Sequence, residues 1–314
     1  MFRGKVMVVL NRSDLLETLH RLLKLWGSAE AIDHTIFDEA VFYSTSHRTD
    51  VHRRSEVISA LASDFSGSAA QLTPTNIVVR GDDDQIVISA YLLGTVRSSS
   101  QESRVAEFGS ALVVGINPNS PTAQINEIRH QVLWVEGDKS VLADWKTPVT
   151  DRLWQPGDEP VVLSSELDAP WNRVPASSIA ATDEEAIGEA WFRYAWGLDL
   201  SDTTLLAQSF TDSVEAELMP MGHMQGRRLL VSTLKAFRAP WPKMQHCGRP
   251  LEINFGNDRL TASVLLGRII PGKTFTEDGR ALYGAHYTIE MRKTPSLGWQ
   301  IQKMVYKPGW ITHG

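Results

Sequence analysis

The chain has 314 residues, 42% hydrophobic and 22% charged, which is ordinary for a globular protein. Its 31 basic and 37 acidic residues give a net charge of −6 and form no basic stripe, so nothing electrostatic supports a nucleic-acid or anionic-membrane partner. A single cysteine excludes an internal disulfide and fits a reducing compartment. The apolar run at residues 6–10 is too short for a signal-peptide core, and none approaches the ~20 residues of a membrane span. We therefore expect a cytoplasmic protein.

The first part of the chain predicts helices followed by a block of strands. A helix pattern covers residues 13–27, and a small strand follows in "FDEAVFYS". A second helix turns Val57, Ile58 and Leu61 to one side. Strands are then expected at 76–79, 85–94, 107–116 and 123–135.

The second part of the chain predicts the same order of elements. Thr182 and Glu185 form a capping box at the start of a helix over 182–199, in which Trp191 and Tyr194 lie on the apolar stripe. After "FTDSVEAEL" comes a helix that turns Leu230, Leu234 and Phe237 inward. The expected strands are 250–255, 259–270, 281–292 and 298–306.

An internal repeat relates the two parts. Arg54 and Arg227 are 173 residues apart, as are Phe37 and Phe210, and the same offset pairs "AYLLG" with "SVLLG". Several matches at one offset indicate two copies of one fold. We predict domains at 1–145 and 182–314, joined by a proline-rich segment at 146–181 that packs through Trp154 and Trp171.

The order of elements predicts the fold class. Strands that follow helices in blocks indicate an α+β fold, here an antiparallel sheet covered by helices on one face. Each copy would form one such domain.

The second copy resembles the SnoaL-like group of the nuclear-transport-factor-two-like superfamily. The matching stretches are "RYAWGLDLSD", "LAQSFTDSVE", "HCGRPLEINFGNDRLTASV" and "YGAHYTIEMRK", continued by "GWQIQKMVY". The resemblance is nearest to the dehydratase and dehydrochlorinase branch, and it implies two tandem cone-shaped α+β barrels, each with a curved sheet. In that branch an aspartate at the end of the first helix pairs with a histidine before the first long strand; Asp199 and His246 occupy those positions. Tyr287 falls in a strand that lines the cone in the family.

The pair has a chemical rationale. A neutral imidazole has a pKa near ~6.5 and suits proton abstraction, while a carboxylate on its other nitrogen fixes the tautomer. The alternative is that Asp199 is a helix-end residue and His246 a loop histidine. Tyr194 is a candidate proton donor, or a core aromatic. Trp191, Met219, Met221, Phe237, Trp241 and Tyr287 are candidates to line a pocket, although such residues equally fill a core.

The first copy lacks this pair at the equivalent positions, which are Trp26 and Thr73. We therefore expect it to be a degenerate partner of a catalytic second domain. The resemblance implies that it docks against the second domain as the subunits of a family dimer do, which gives a pseudo-dimer within the chain. The other motifs are interpreted as structural features. "HRTDVH" at 47–52 has no third set of metal ligands, so no metal site is expected. "RGD" at 80–82 reads as a hairpin turn, and Cys247 as a buried thiol.

The sequence and the resemblance together imply a cofactor-free lyase. It would act by elimination on a small apolar molecule, for which an aromatic or polycyclic body is one option. Two alternatives stay open: an isomerase or cyclase using the same base, and a non-enzymatic module that binds a ligand or supports assembly. Further homo-oligomerisation also stays open.

Overall fold

The computed structural model describes residues 10–28, 33–149, 152, 155–241 and 244–313. The chain divides into two compact units. The first comprises Met1–Pro148 and Gly157–Ala180, and the second comprises Val149–Pro156 and Ala181–Gly314. Residues 6–9 of the N-terminal apolar run and Trp154 of the connecting segment lie outside the described residues.

The first unit consists of two main helices and six strands. Helix α1 is Arg12–Gly27 and helix α2 is Arg54–Asp64. The strands are β1 Phe37–Thr45, β2 Val51–His52, β3 Ser68–Gly81, β4 Ile86–Ser98, β5 Val105–Ile116 and β6 Ile125–Gly137. Helix α1 buries Leu15, Leu19, Leu22 and Trp26, and these join a core with side chains from every long strand.

The sheet of the first unit has the order β2-β1-β6-β5-β4-β3. Its pairs are antiparallel except one, because β1 runs parallel to β6. The α+β class is confirmed, whereas the antiparallel sheet is corrected to a mixed and open one. The physical reason is that the chain passes through α2 to β3 at the opposite edge of the sheet. It then returns through the antiparallel strands β4 and β5, which brings β6 beside β1 in the same direction.

The second unit repeats this plan. Its helices are α5 Asp183–Asp199, α6 Thr203–Gln208 and α7 Arg227–Arg238. Its strands are β7 Phe210–Leu218, β8 Gly222–Gln225, β9 Gly248–Phe255, β10 Thr261–Arg268, β11 Leu282–Thr294 and β12 Gly298–Thr312. The sheet order is β8-β7-β12-β11-β10-β9, and β7 runs parallel to β12.

The sequence offset of 173 reappears in the geometry. Strand β7 begins and ends 173 residues after β1, and α7 begins 173 residues after α2. The residue before each of these two helices has a positive φ, 72° at Arg53 and 89° at Gly226. The tandem duplication is thus visible in element order, strand order and a local backbone turn.

Part of the connecting segment packs on the first unit. It contains two short helices, α3 Ser165–Asp168 and α4 Pro170–Arg173, and α4 buries Trp171. Arg80 donates hydrogen bonds to the carbonyls of Val174 and Pro175, and Arg173 forms an ion pair with Glu127. Residues 157–180 are therefore a packed layer of the first unit.

Among the residues described, no helix has the length and apolar character needed to cross a membrane.

Candidate active site in the second unit

Helix α5 sets the position of Asp199. Its start is fixed by the predicted capping box, in which Thr182 accepts from the Glu185 backbone and Glu185 accepts from the Thr182 backbone. Its last turn lies against α6: a Cβ added at Gly197 would come within 2.5 Å of the Leu206 nitrogen. Only glycine permits that approach, so the two helices meet closely just before Asp199 ends α5.

Asp199 and His246 are joined by two short hydrogen bonds. The backbone N–H of His246 donates to Oδ2 of Asp199 at 2.6 Å, and Nδ1 of His246 lies 2.6 Å from Oδ1. Both residues are buried, Asp199 with 4% and His246 with 7% of its surface exposed. Since the carboxylate engages Nδ1, the proton sits on Nδ1 and the lone pair of the neutral ring is on Nε2.

Burial lowers the pKa of His246 below its usual value, against the attraction of Asp199, and the nearby cation Arg268 lowers it further. The imidazole is therefore neutral near pH 7, the form that can accept a proton. The pair is thus a neutral imidazole held in one tautomer by a buried carboxylate.

Aromatic side chains surround the pair. The ring of Tyr194 lies 5.9 Å from that of His246, and Trp191 lies 6.0 Å from Tyr194 and 6.3 Å from Tyr287. Tyr194 hydrogen-bonds to Tyr287, and Arg268 hydrogen-bonds to Tyr287 in turn. Burial, together with neighbouring Tyr287, raises the pKa of Tyr194 well above its usual value, so its hydroxyl keeps its proton.

The six candidate pocket residues fall into two groups. Trp191 and Tyr287 are buried beside the pair, with 0% and 4% exposed. Met219 and Trp241 lie at the surface, with 63% and 54% exposed, while Met221 and Phe237 are partly buried. The structure thus brings two of the six to the pair.

Two arginines near the pair were not singled out from the sequence. Arg238 donates one hydrogen bond to the carbonyl of Asp199 at 3.1 Å and another to the carbonyl of Trp241. Arg268 donates to the carbonyl of Gln245, next to His246. The available signal was weak: each arginine ends an apolar helix or strand, a place where basic residues are common.

The other motifs lie in the following places. Of "RGD" at 80–82, Arg80 and Gly81 end β3, and only Asp82 lies in the turn to β4, where its carboxylate accepts from the backbones of Asp84 and Gln85. Cys247 is buried with 1% exposed. His47 and Asp50 point to different partners, Asp64 and Ser44. Within the described ranges, no three His, Cys, Asp or Glu side chains converge as a metal site.

The first unit also holds a buried carboxylate–imidazole pair. This pair does not lie at the positions that correspond to Asp199 and His246 in the repeat. Nε2 of His47 lies 3.1 Å from Oδ1 of Asp64, and each side chain has 1% of its surface exposed. Comparing equivalent positions of the two copies therefore could not reveal the pair of His47 and Asp64.

Residues 180–305 match the family model of the SnoaL-like domain. The predicted resemblance is therefore confirmed over the second unit, and the first unit shares its order of elements and strands. No curated protein sequence matches the chain.

Solved structures of small proteins are similar to one part of the chain. A proposed aromatic ring hydroxylase from Novosphingobium aromaticivorans is 14% identical over 42% of this chain and 96% of its own, with a TM-score of 0.38. A proposed scytalone dehydratase from the same organism is 19% identical over 41% and 87%, with a TM-score of 0.32. A proposed dehydratase of the nuclear-transport-factor-two-like family from Streptomyces avermitilis is 18% identical over 40% and 96%, with a TM-score of 0.33. Likenesses this low define no activity for this chain.

Proposed function

We propose that the second unit is a cofactor-independent lyase that removes a proton and a leaving group from a small, largely apolar molecule. The observation that carries the proposal is the double hydrogen bond between Asp199 and His246 inside a buried aromatic setting. A buried carboxylate that orients a neutral imidazole is the arrangement required of a general base. The reducing-compartment composition, with its single buried cysteine, makes the cytoplasm the proposed location.

The proposed reaction is removal of a proton followed by loss of a group from the neighbouring carbon. Nε2 of His246 takes a proton from a carbon atom of the substrate, and the released electron pair forms a carbon–carbon double bond. The leaving group departs from the neighbouring carbon as hydroxide or halide, with Tyr194 donating a hydrogen bond to it. Hydroxide takes up the proton from the His246 imidazolium and leaves as water, whereas with halide that proton passes to solvent. The Asp199 carboxylate stabilises the imidazolium that forms.

Trp191 and Tyr287 support an aromatic or polycyclic substrate. Both are buried beside His246, and aromatic rings favour contact with a planar apolar molecule. The same base without a leaving group would catalyse an isomerisation, in which the proton returns to another carbon.

The test is a screen of hydroxylated and halogenated aromatic compounds with the wild type, His246→Gln and His223→Gln. His223 is an exposed histidine of the same unit and serves as the matched control. We expect release of water or halide with the wild type and the control, and a rate at least about 100-fold lower with His246→Gln. An equal rate with His246→Gln would refute the role of the base. A product of unchanged composition, lost in the same variant, would indicate an isomerase, and binding without any product would indicate a ligand-binding module.

A further inference from the structure

Arg268, the last residue of β10, contacts two sides of the candidate site. Its Nη2 donates to the carbonyl of Gln245 at 3.3 Å, and its guanidinium hydrogen-bonds to the hydroxyl of Tyr287. The side chain is partly buried. One charged group thus links β10, β11 and the segment before β9 that carries His246.

The contact with Gln245 acts on the base through a single peptide group. The peptide between Gln245 and His246 has its carbonyl on Arg268 at 3.3 Å and its N–H on Oδ2 of Asp199 at 2.6 Å. Both are charge-assisted hydrogen bonds, and each polarises the peptide in the sense that strengthens the other. The backbone from which the imidazole of His246 extends is therefore fixed from two sides.

The contact with Tyr287 acts on the proposed hydrogen-bond donor of the site. Tyr194 hydrogen-bonds to Tyr287, so the guanidinium is two hydrogen bonds away from the hydroxyl of Tyr194. A guanidinium has only donors, so the oxygen of Tyr287 accepts from Arg268 and is held by it. Arg268 therefore reaches both the base and the proposed donor, each through one intervening group.

The charged and titratable groups around His246 belong to α5, α7, β10 and β11. They are one carboxylate, two guanidiniums and two hydroxyls, of Asp199, Arg238, Arg268, Tyr194 and Tyr287. Burial raises the pKa of both tyrosines, so they stay uncharged near pH 7. Asp199 by itself favours the imidazolium, and the two guanidiniums oppose it. The charge of Arg268 thus favours the neutral imidazole that accepts a proton.

Stability alone does not explain an arginine at this place. Its Nε is buried and has no hydrogen-bond partner among the residues described. A buried donor without an acceptor is unfavourable, and so is the partial burial of a charge. A neutral side chain of similar length would avoid both penalties. What Arg268 supplies instead is its charge and its two contacts with the site.

Strand pairing shows which residue of the first unit corresponds to Arg268. Arg268 follows by two residues the leucine of β10 that pairs with Pro250. Gly94 follows in the same way the leucine of β4 that pairs with Pro74. A Cβ at Gly94 would lie 2.1 Å from the ring of Phe108, so a ring fills the space beside this glycine.

The arginine and the acid–base residues are present together in one unit and absent together in the other. Trp26 stands 173 residues before Asp199. Ser110 pairs with the same leucine of β4 as Pro74 does, and Tyr287 pairs with the corresponding leucine of β10. The fold therefore forms without the aspartate, the tyrosine and the arginine, which points to a shared role of these three residues in the second unit.

We propose that Arg268 is a positioning residue of the candidate site, which holds the backbone of His246 and the hydroxyl of Tyr287 in place and whose fixed charge keeps the imidazole neutral. The effect on turnover rests on the lyase function proposed above. The effect on the imidazole does not, because it needs no substrate.

The test is an NMR pH titration of ¹⁵N-histidine-labelled wild type, Arg268→Gln, Arg268→Lys and Arg292→Gln. Glutamine removes the charge and can still donate to a carbonyl, lysine keeps the charge, and Arg292 is an exposed arginine of β11 that serves as the matched control. The resonances of His246 are identified by their loss in His246→Gln. We expect the pKa of His246 to rise in Arg268→Gln, because a nearby cation is lost while Asp199 remains, and to stay close to the wild-type value in Arg268→Lys and Arg292→Gln.

The resonance of the Nδ1 proton of His246 reports the geometry separately. A lysine has no planar fork and cannot contact Gln245 and Tyr287 as the guanidinium does, so we expect Arg268→Lys to shift this resonance although the pKa is kept. An unchanged Nδ1 resonance in Arg268→Lys would overturn the proposal, and this measurement decides even if Arg268→Gln does not fold. An unchanged pKa of His246 in Arg268→Gln would also overturn it, as would an equal rise in the glutamine and lysine variants, since packing and not charge would then matter.

Turnover separates this proposal from the proposed function. With a substrate found in the screen above, Arg268→Gln should move the limb of kcat/KM that rises with pH to higher pH, so that activity falls at pH 7 and recovers in more alkaline buffer. A raised pKa of His246 without any movement of this limb would show that His246 is not the base. That result would refute the lyase mechanism and leave the effect of Arg268 on the imidazole in place.

Discussion

At the scale of single residues, Asp199 has one measurable effect on its neighbour. Its carboxylate raises the pKa of His246, while burial, Arg268 and Arg238 lower it. We expect Asp199→Asn to lower the pKa of His246 further, because the attraction is lost and the other influences remain. The measurement is a pH titration of the His246 ring resonances by NMR.

The matched control is Asp212→Asn, which changes an exposed carboxylate in the same unit. It should leave the titration of His246 unchanged. A pKa of His246 that stayed constant or rose in Asp199→Asn would show that the pair is not coupled in solution.

In the first unit, Asp64 is the residue whose removal we expect to have a large effect on stability. Its removal takes away the acceptor that Trp26, Tyr43 and His47 share inside the core. The partly exposed Arg48 keeps its hydrogen bonds to Ala60 and Ser63. We expect Asp64→Ala to lower the free energy of unfolding of this unit by about 3–5 kcal/mol. The measurement is denaturant unfolding at pH 7.

Asp144→Ala is the control for this variant, since Asp144 is exposed in the same unit. Its effect should stay within about 0.5 kcal/mol. A similarly small effect of Asp64→Ala would mean that water satisfies the three buried donors.

At the scale of elements, two glycines of α5 form a natural pair for comparison. A Cβ at Gly197 would meet the backbone of Leu206 at 2.5 Å, whereas a Cβ at Gly188 would meet nothing closer than 3.6 Å. We expect Gly197→Ala to destabilise the second unit by about 1–3 kcal/mol and to disturb the pair that follows two residues later. Gly188→Ala should be neutral or stabilise by about 0.5–1 kcal/mol. Unfolding curves and the His246 resonances report both effects.

The elements could be predicted because their signals are local. The sequence predicted the capping box of Thr182 and Glu185 and the apolar spacing of α5, and both are present. Strands were expected too short, for example 76–79 against the observed Ser68–Gly81, because the polar, alternating residues "SAAQLTPT" carry a weak signal and pair only through β4.

The candidate site was predicted only where the resemblance supplied a position. Asp199, His246, Tyr194 and Tyr287 came from helix position and family pattern. Arg268 became visible only in the fold, because its link to Tyr287 joins two strands. The pair of Asp64 and His47 joins a helix end and a strand end 17 residues apart, and no spacing rule indicates it.

At the scale of the whole molecule, both units keep a neutral histidine in a buried setting, and this makes stability depend on pH. Burial lowers the pKa of His246 and, more strongly, that of His130, while an unfolded chain binds a proton near pH ~6.5. The unfolded state therefore holds more protons than the folded state around and below that pH. The stability from this source is present above pH ~6.5 and is lost as the pH falls.

We accordingly expect the free energy of unfolding to fall between pH 7.5 and pH 5.5, a range above the usual titration of carboxylates. His246→Asn and His130→Phe should each reduce this fall, because each removes one proton that the unfolded chain alone binds. His223→Asn, which changes an exposed histidine, should leave it unchanged. Denaturant unfolding at pH 7.5 and pH 5.5 gives the free energy of unfolding of each variant at both values. The quantity to compare between variants is the change in this free energy between the two pH values, whatever the stability of each variant. An equal fall in wild type and both buried-site variants would mean that these histidines are protonated in the folded protein, and the assignment of neutral imidazoles to both units would have to be given up.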